Sequence, residues 1–206
     1  MATSFSFETS PRILCEQGSA SRLGTLATEL GARHVFVVTD RFLHDSGLTA
    51  SLIAGMQAAN VSFTLYTDVL ADPPEASVEA AVAAAVTSGA DAVIGFGGGS
   101  SMDTAKLVAL LARTPQKLTD IYGLGLAKGP RLPLIQVPTT AGTGSEVTPI
   151  AIVTTPSGEK QGVVSRLLYA DVAVLDATLT LGLPARVTAM TGIDAMVHAI
   201  EAYTSR

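Results

Sequence analysis

Tryptophan is absent from this sequence, cysteine occurs once, and basic residues are few. Because Cys15 is the only cysteine, an internal disulfide is excluded, and we expect a reducing compartment, by default the cytoplasm. The 13 lysines and arginines are scattered along the chain, and with 18 acidic residues the net charge is -5. A basic stripe for nucleic acid or for an anionic membrane is therefore lacking, and we expect neither partner.

Long apolar runs are also missing. No stretch reaches the ~18 uninterrupted apolar residues of a membrane span, and the first residues, MATSFSFETSPRIL, contain no basic segment followed by an apolar block. The sequence thus predicts neither a membrane anchor nor a secretory leader. What it does have is a 48% hydrophobic share over 206 residues, which is enough for a sizeable core in one domain, or in one domain and part of a second.

Strand and helix patterns alternate over most of the chain. Phe5 and Phe7 alternate with polar residues, so a short hairpin is predicted for the first fifteen residues. The elements predicted next are a helix at 19–30, a strand at 34–39, a helix at 46–58, a strand at 61–65, a helix at 75–88 and a strand at 92–96. This βαβαβ order predicts an α/β fold with a doubly wound parallel sheet.

In the second half of the chain the regular alternation of strand and helix patterns ends. A helix is predicted from the glycine run at 97–100 through Leu111, and a strand at 132–137. Short β-rich pieces follow at 150–154 and 172–175, and the pattern is helical from about Pro184 onward. We therefore place a domain boundary near residue 180.

A glycine loop, Gly97-Gly98-Gly99-Ser100, lies between a predicted buried strand and a helix. Glycine lets backbone N–H groups approach a pyrophosphate, and the anion would lie at the positive end of the helix. The alternative is a tight strand-to-helix turn without a ligand. The loop also departs from the usual dinucleotide fingerprint, because Ser100 stands where the third glycine is expected.

Asp40 follows the first predicted buried strand. A carboxylate there could accept hydrogen bonds from a ribose diol and would repel a 2′-phosphate, which favours NAD over NADP. In the usual fingerprint the acid comes ~20 residues after the glycines, whereas Asp40 comes long before them. The alternative is that Asp40 caps the next helix.

Two further segments carry candidate chemistry. The loop at 138–148, Pro-Thr-Thr-Ala-Gly-Thr-Gly-Ser-Glu-Val-Thr, is rich in hydroxyl groups and could enclose a polar ligand or be a plain surface loop. Asp194 and His198 are four residues apart on a predicted helix, so they would share one face. They could begin a metal site, which usually takes three or more protein ligands, or form an ordinary pair on a buried amphipathic helix.

These segments, in this order, resemble the signature blocks of the iron-containing, or group III, alcohol dehydrogenases. The blocks are Gly-Gly-Gly-Ser-Ser-Met-Asp-Thr-Ala-Lys at 97–106, the threonine loop at 138–148, and Thr-Gly-Ile-Asp-Ala-Met-Val-His-Ala-Ile-Glu-Ala-Tyr at 191–203. The resemblance covers about the first half of a family member. It implies that residues 1–180 form the dinucleotide-binding α/β domain and that residues 181–206 begin an all-helical metal-binding domain.

The resemblance also implies site residues. Asp40 would bind the adenosine ribose of NAD, and Asp194 and His198 would be the first two ligands of iron(II) or zinc. The pyrophosphate would be held by Gly98, Gly99, Ser100, Ser101, Met102 and Asp103, and the remaining cofactor contacts would be Thr139, Thr140, Thr143, Thr148, Lys160 and Leu179. The adenine contact is in question, because Asp72 stands where many relatives carry asparagine.

The family takes its other two metal ligands, both histidines, from the helical half that follows. We therefore expect this sequence to be either a fragment or a truncated product. The implied activity is hydride transfer between NAD and a small alcohol or aldehyde, aided by the metal ion, in a homo-oligomeric cytoplasmic enzyme. Two alternatives stay open, namely a non-catalytic NAD-binding module and a lyase on the scaffold of the dehydroquinate synthases.

Overall fold

A computed structural model describes residues 4 and 6–205 of the chain. The strands are β1 Ile13–Cys15, β2 His34–Val38, β3 Ser62–Tyr66, β4 Ala92–Gly97, β5 Gly123–Leu124, β6 Leu134–Pro138, β7 Ile150–Thr154, β8 Lys160–Val164 and β9 Val172–Leu175. Six of them form one sheet in the order β1-β9-β6-β4-β2-β3, and every neighbouring pair in it is parallel. The predicted parallel α/β architecture is confirmed.

Helices cover both faces of this sheet. They are α1 Leu23–Glu29, α2 Arg41–Asp45, α3 Ala50–Ala58, α4 Glu75–Ser88, α5 Gly99–Leu111 and α6 Ala185–Thr204. Within β2, Val35 and Val37 pack with α1 and α3, whereas Phe36 and Val38 pack with α4 and α5. Alternate side chains of a strand point to opposite faces, so a strand covered on both faces must be apolar throughout, as β2 is.

A second, three-stranded sheet lies beside the first, in the order β5-β8-β7. Its centre is the antiparallel hairpin of β7 and β8, in which Ile150 pairs with Val164 and Thr154 pairs with Lys160. The inward side chains Ala151, Val153 and Val163 share a core with α5. The sequence predicted β7 as a short β-rich piece, but it did not predict β5 or β8.

Two local predictions are wrong. The predicted hairpin at the start does not form in the described residues, because Ile13–Cys15 pairs in parallel with β9, about 160 residues away in the sequence. Phe7 is 80% exposed and lies outside any strand, and Phe5 lies outside the described residues. The helix predicted for 46–58 starts later, at Ala50, because Gly47 has a φ of 80° and separates α2 from α3.

The helix predicted from about Pro184 is present as α6, but none of its residues is buried. Its apolar side chains are exposed, with Met190 at 59%, Ile193 at 61%, Val197 at 44% and Ile200 at 59%. The helix touches the α/β domain at Gly142, where an added Cβ would lie 2.5 Å from the Thr191 carbonyl oxygen. Among the described residues, no helix is long and apolar enough to cross a membrane.

Candidate functional site

The order of the strands places a crevice between β2 and β4. The chain passes from β2 to β3 on one side and then crosses to β4 on the other, so the direction of winding reverses there. In open α/β sheets, ligands bind outside the carboxyl ends of the strands at such a switch point. Two cavities of about 1000 Å³ and about 470 Å³ lie there, and Gly99 and Ser100 line both of them. We call them the larger and the smaller cavity.

The glycine loop joins β4 to α5 at this point. Gly97 has a φ of 152°, and a Cβ added to it would lie 2.6 Å from the Ser101 hydroxyl oxygen, so this residue must be glycine. Gly98 is the N-cap of α5; no side chain among the described residues caps the helix, and its first turn holds no acidic residue. The N-terminal N–H groups of α5 therefore suit an anion.

The threonine loop packs directly against the glycine loop. The Thr139 N–H donates to the Gly97 carbonyl over 3.0 Å, and Thr140 and Thr143 lie closest to Gly98 and Gly99. The Oγ1 of Thr140 is buried, and it has no hydrogen-bond partner among the described residues. The sequence predicted both loops as ligand-binding candidates, and the structure brings them together at one crevice.

Asp40 lies at the carboxyl end of β2 and lines the smaller cavity. One carboxylate oxygen, Oδ1, accepts a hydrogen bond from the Leu43 N–H at 2.9 Å, so Asp40 is the N-cap of α2. The cap predicted as an alternative is therefore present. The cap uses Oδ1 and leaves Oδ2 for a second donor, so both roles fit one side chain.

A buried ion-pair network lies beneath the larger cavity, and the sequence did not predict it. Lys106 is fully buried, and its Nζ donates to the Ser145 hydroxyl at 2.8 Å and to the Ile150 carbonyl at 2.6 Å. Its ammonium also lies 3.4 Å from the Thr148 hydroxyl and 3.6 Å from Asp103. Burial lowers the pKa of Lys106 to about 8, although the Asp103 charge opposes this. The sequence signal was an Asp-x-x-Lys pair on an apolar helix.

The carboxylate of Asp103 is held on both oxygens. Its Oδ1 accepts from the Ser145 hydroxyl at 2.6 Å, and its Oδ2 accepts from the Ile152 N–H at 3.0 Å. Asp103 still lines the larger cavity, as do Thr143 and Thr148. Its contacts fix the β7 strand and the threonine loop to α5.

Two of the predicted cofactor residues line neither cavity. Met102 is fully buried, and its carbonyl accepts a hydrogen bond from the Gln136 side-chain amide at 2.9 Å. Leu179 is 5% exposed and belongs to the core on the other face of the sheet. Both side chains therefore belong to the buried core.

Lys160 lies on the rim of the larger cavity and forms an ion pair with Asp72. Both side chains are more than half exposed. Each of the two residues was considered separately as a contact of the cofactor, and no local sequence pattern indicates that they form a pair.

Asp194 and His198 also line the larger cavity, so α6 closes one side of it. The His198 Nε2 lies 3.8 Å from the Asp194 Oδ1, and the His198 Nδ1 lies 3.4 Å from the Gly142 carbonyl oxygen. If Nδ1 carries the proton, it donates to that carbonyl, and the unprotonated Nε2 can bind a cation through its lone pair. Among the described residues, no group of three or more His, Cys, Asp or Glu side chains could hold a metal ion.

The parallel sheet and the anion-accepting crevice define an α/β domain of the dinucleotide-binding class. Residues 10–177 match the sequence model of the family described as iron-containing alcohol dehydrogenase, and the chain belongs to that family. This confirms the resemblance given by the three sequence blocks.

Known proteins resemble the chain over almost its full length. It is 46% identical to the probable alcohol dehydrogenase EutG of Escherichia coli (strain K12), over 97% of this chain and 51% of the relative. The structure of a 1,3-propanediol oxidoreductase aligns with a TM-score of 0.93 at 29% identity, covering 97% of this chain and 53% of that one. A sulfoacetaldehyde reductase from Bifidobacterium kashiwanohense in complex with NAD+ aligns with a TM-score of 0.91 at 33% identity, covering 98% and 54%.

The chain therefore spans about half the length of the relatives it matches.

Proposed function

We propose that this chain binds NAD in the crevice and forms the cofactor-binding part of a metal-dependent alcohol dehydrogenase. The observation that carries the proposal is the uncapped N-terminus of α5, which faces a crevice lined by Asp40 and by the threonine loop. Membership of the iron-containing alcohol dehydrogenase family supports the activity. The three relatives are named as a probable alcohol dehydrogenase, an oxidoreductase and a reductase, which favours hydride transfer over the lyase alternative.

The crevice fits NAD in shape and charge. The pyrophosphate would accept hydrogen bonds from the first turn of α5, where Gly98 leaves room for the backbone to approach it. Asp40 would accept a hydrogen bond from the adenosine ribose and repel a 2′-phosphate, which favours NAD over NADP. Thr140 would contribute a buried hydroxyl that has no partner among the described residues. The other cofactor residues that we propose are Gly99, Ser100, Ser101, Asp103, Thr139, Thr143, Thr148 and Lys160, whereas the side chains of Met102 and Leu179 are buried and line neither cavity.

Asp194 and His198 would supply two ligands to a divalent cation. A carboxylate oxygen and an imidazole nitrogen suit iron(II) or zinc, and the Gly142 carbonyl would hold the His198 ring in the required orientation. When bound, the cation would polarise the oxygen of an alcohol or aldehyde, and NAD would exchange a hydride with its carbon. Residues 181–206 would begin a helical metal-binding domain, and the missing ligands would come from a C-terminal half.

Cofactor binding is tested with two matched threonine variants. Thr140 and Thr104 both have a buried Oγ1 without a partner among the described residues, but only Thr140 lines a cavity. In Thr140→Val we expect NAD affinity to fall about fivefold or more, because one hydrogen bond to the ligand is lost. In Thr104→Val we expect unchanged affinity. Isothermal titration calorimetry measures both, and absence of NAD binding by the wild-type chain at millimolar concentration would refute the proposal.

Catalysis is tested with the 206-residue chain and with a version extended by the helical half of a relative. We expect only the extended version to reduce NAD in the presence of iron(II) and simple primary or secondary alcohols. An extended version that binds NAD but never reduces it across a wide alcohol panel would contradict the assigned activity.

A second candidate function is NAD binding without catalysis. It is favoured by the metal site, because Asp194 and His198 alone do not meet the usual requirement of three or more protein ligands. NAD binding by both versions, together with turnover by neither of them, would support this candidate.

A further inference from the structure

One ion pair stands at the rim of the larger cavity. The Lys160 ammonium contacts the Asp72 carboxylate, and both residues line that cavity. The side chains are 56% and 70% exposed, so water and ligands can reach either group. Exposed pairs of this kind are weak, and a ligand that carries charge can displace one member.

Asp72 connects this ion pair to the start of α5. Its N–H donates to the Ser100 hydroxyl at 3.3 Å, and its carbonyl accepts a hydrogen bond from the Thr154 hydroxyl at 3.0 Å. The neighbouring Pro73 carbonyl accepts from the Thr154 N–H at 2.9 Å. Asp72 therefore contacts both Lys160 and Ser100, and so it connects the ammonium group to the first turn of α5, where the proposed pyrophosphate would lie.

We propose that Asp72 sets the affinity of the crevice for its dinucleotide by competing with the phosphate groups of the ligand for the Lys160 ammonium. The inference rests on the proposed function, since it assumes that a dinucleotide binds at the start of α5. The physical basis is the charge balance of the rim. With Asp72 present the pair is neutral, so a phosphate that approaches Lys160 must first displace a carboxylate of the same sign as itself.

Asparagine is the substitution that isolates this effect. Asp72 has a φ of 48°, a left-handed conformation that aspartate and asparagine adopt more readily than most side chains. Asp72→Asn therefore keeps the backbone and its contacts to Ser100 and Thr154, and it removes only the charge. Alanine would change the charge and also strain the loop.

The matched control is Glu29→Gln. Glu29 also forms an exposed ion pair, with Arg12, and it lines none of the cavities described above. Its substitution changes the net charge of the chain by the same amount as Asp72→Asn. Any general effect of net charge on NAD binding would therefore appear equally in both variants.

The experiment is calorimetric titration of the 206-residue chain with NAD at low ionic strength. We expect Asp72→Asn to bind NAD about three- to fivefold more tightly than wild type, as exposed ion pairs are weak, and we expect the gain to shrink as salt is raised. Glu29→Gln should match wild type. An affinity of Asp72→Asn equal to or below that of wild type would overturn the inference and leave the proposed function standing.

A double-variant cycle identifies the competing partner. In a Lys160→Gln background, Asp72→Asn should tighten NAD binding by less than half as much on a logarithmic scale, because the ammonium group is gone. An equal increase in NAD affinity in both backgrounds would show that Asp72 acts without Lys160. It would overturn the proposal that Asp72 competes with the phosphates for the Lys160 ammonium. If neither wild type nor Asp72→Asn binds NAD at millimolar concentration, both the proposed function and this inference are refuted.

Discussion

At the scale of single residues, adjacent glycines in the same loop have different tasks. Gly97 has a φ of 152° and its Cα faces Ser101, so it allows the chain to turn between β4 and α5. Gly98 has an ordinary φ of -79°, and a Cβ added to it would meet nothing closer than Thr140 at 3.7 Å. Neither the backbone conformation nor the packing of the chain therefore requires glycine at position 98, which is consistent with a ligand that approaches it in the crevice.

This difference predicts opposite outcomes for two alanine variants. Gly97→Ala should lower the free energy of unfolding by about 1–3 kcal/mol, since it combines an unfavourable φ with a close contact. Gly98→Ala should leave stability within about 0.5 kcal/mol and weaken NAD binding about tenfold or more, as one hydrogen bond to a charged group contributes about 1.5–3 kcal/mol. Urea unfolding and NAD calorimetry measure the two quantities. Unchanged NAD affinity in Gly98→Ala would contradict the pyrophosphate position.

At the scale of elements, the sequence predicted what local patterns determine. The helix at 75–88 and the strands at 150–154 and 172–175 have the predicted bounds, because their apolar periodicity and flanking turns are local signals. The pairing of Ile13–Cys15 with β9 was missed because it depends on residues about 160 positions away. Strand β8, Lys160–Val164, was missed because its sequence, Lys-Gln-Gly-Val-Val, has little alternation, and pairing with β7 determines its structure.

The candidate site likewise has features that the sequence predicted and features that it did not. The glycine and threonine loops were recognisable as sequence motifs, and so was the spacing of Asp194 and His198. The contacts between the loops, the ion pair of Asp72 with Lys160 and the burial of Lys106 exist only after the chain folds, since each joins residues of separate elements. The Asp-x-x-Lys spacing on α5 was a local signal for the Lys106 ion pair, and the other contacts had none.

The buried Lys106 connects α5 to β7 and gives a prediction about pH. Its pKa in the folded chain is about 8, whereas an unfolded lysine titrates near ~10.4. Between pH 8 and 10 the unfolded chain therefore binds more protons than the folded chain. The free energy of unfolding should rise with pH in this window, by as much as about 1.4 kcal/mol per unit. Below pH 8 Lys106 is protonated in both the folded and the unfolded chain. The free-energy cost of burying its charge is therefore fully present there.

The control is Lys106→Met, which keeps the length of the side chain and removes the titrating group. We expect urea unfolding from pH 7 to pH 10 to show a rise for wild type that is absent from the variant. Curves that run parallel over this range would show that the Lys106 pKa is not lowered by burial.

At the scale of the whole molecule, the sheet domain and α6 differ in how many of their apolar residues are buried. The sheet domain buries its apolar residues in continuous cores on both faces, whereas α6 buries none. Two side chains of α6 nevertheless line the larger cavity, so the proposed metal ligands lie on a helix that has no buried residue. A site that needs precise ligand positions requires a rigid support, which supports our proposal that a further helical half completes it.

The exposed face of α6 predicts the behaviour of the 206-residue chain in solution. Met190, Ile193, Val197 and Ile200 recur at helical spacing and are each 44–61% exposed, and contiguous apolar surface of this kind promotes association. We expect the chain to self-associate as its concentration rises. Replacing Ile193 and Ile200 by glutamine should raise the dissociation constant about tenfold or more, because each buried isoleucine contributes about 1.5–3 kcal/mol.

Analytical ultracentrifugation over a range of concentrations measures this association. Leu124→Gln is the matched control, since Leu124 is 81% exposed on the small sheet, away from α6, and its loss should not change the dissociation constant. If the wild-type chain stays monomeric at every concentration, α6 must pack its apolar face against the sheet domain in solution. Asp194 and His198 would then be held rigidly beside the crevice without any further half.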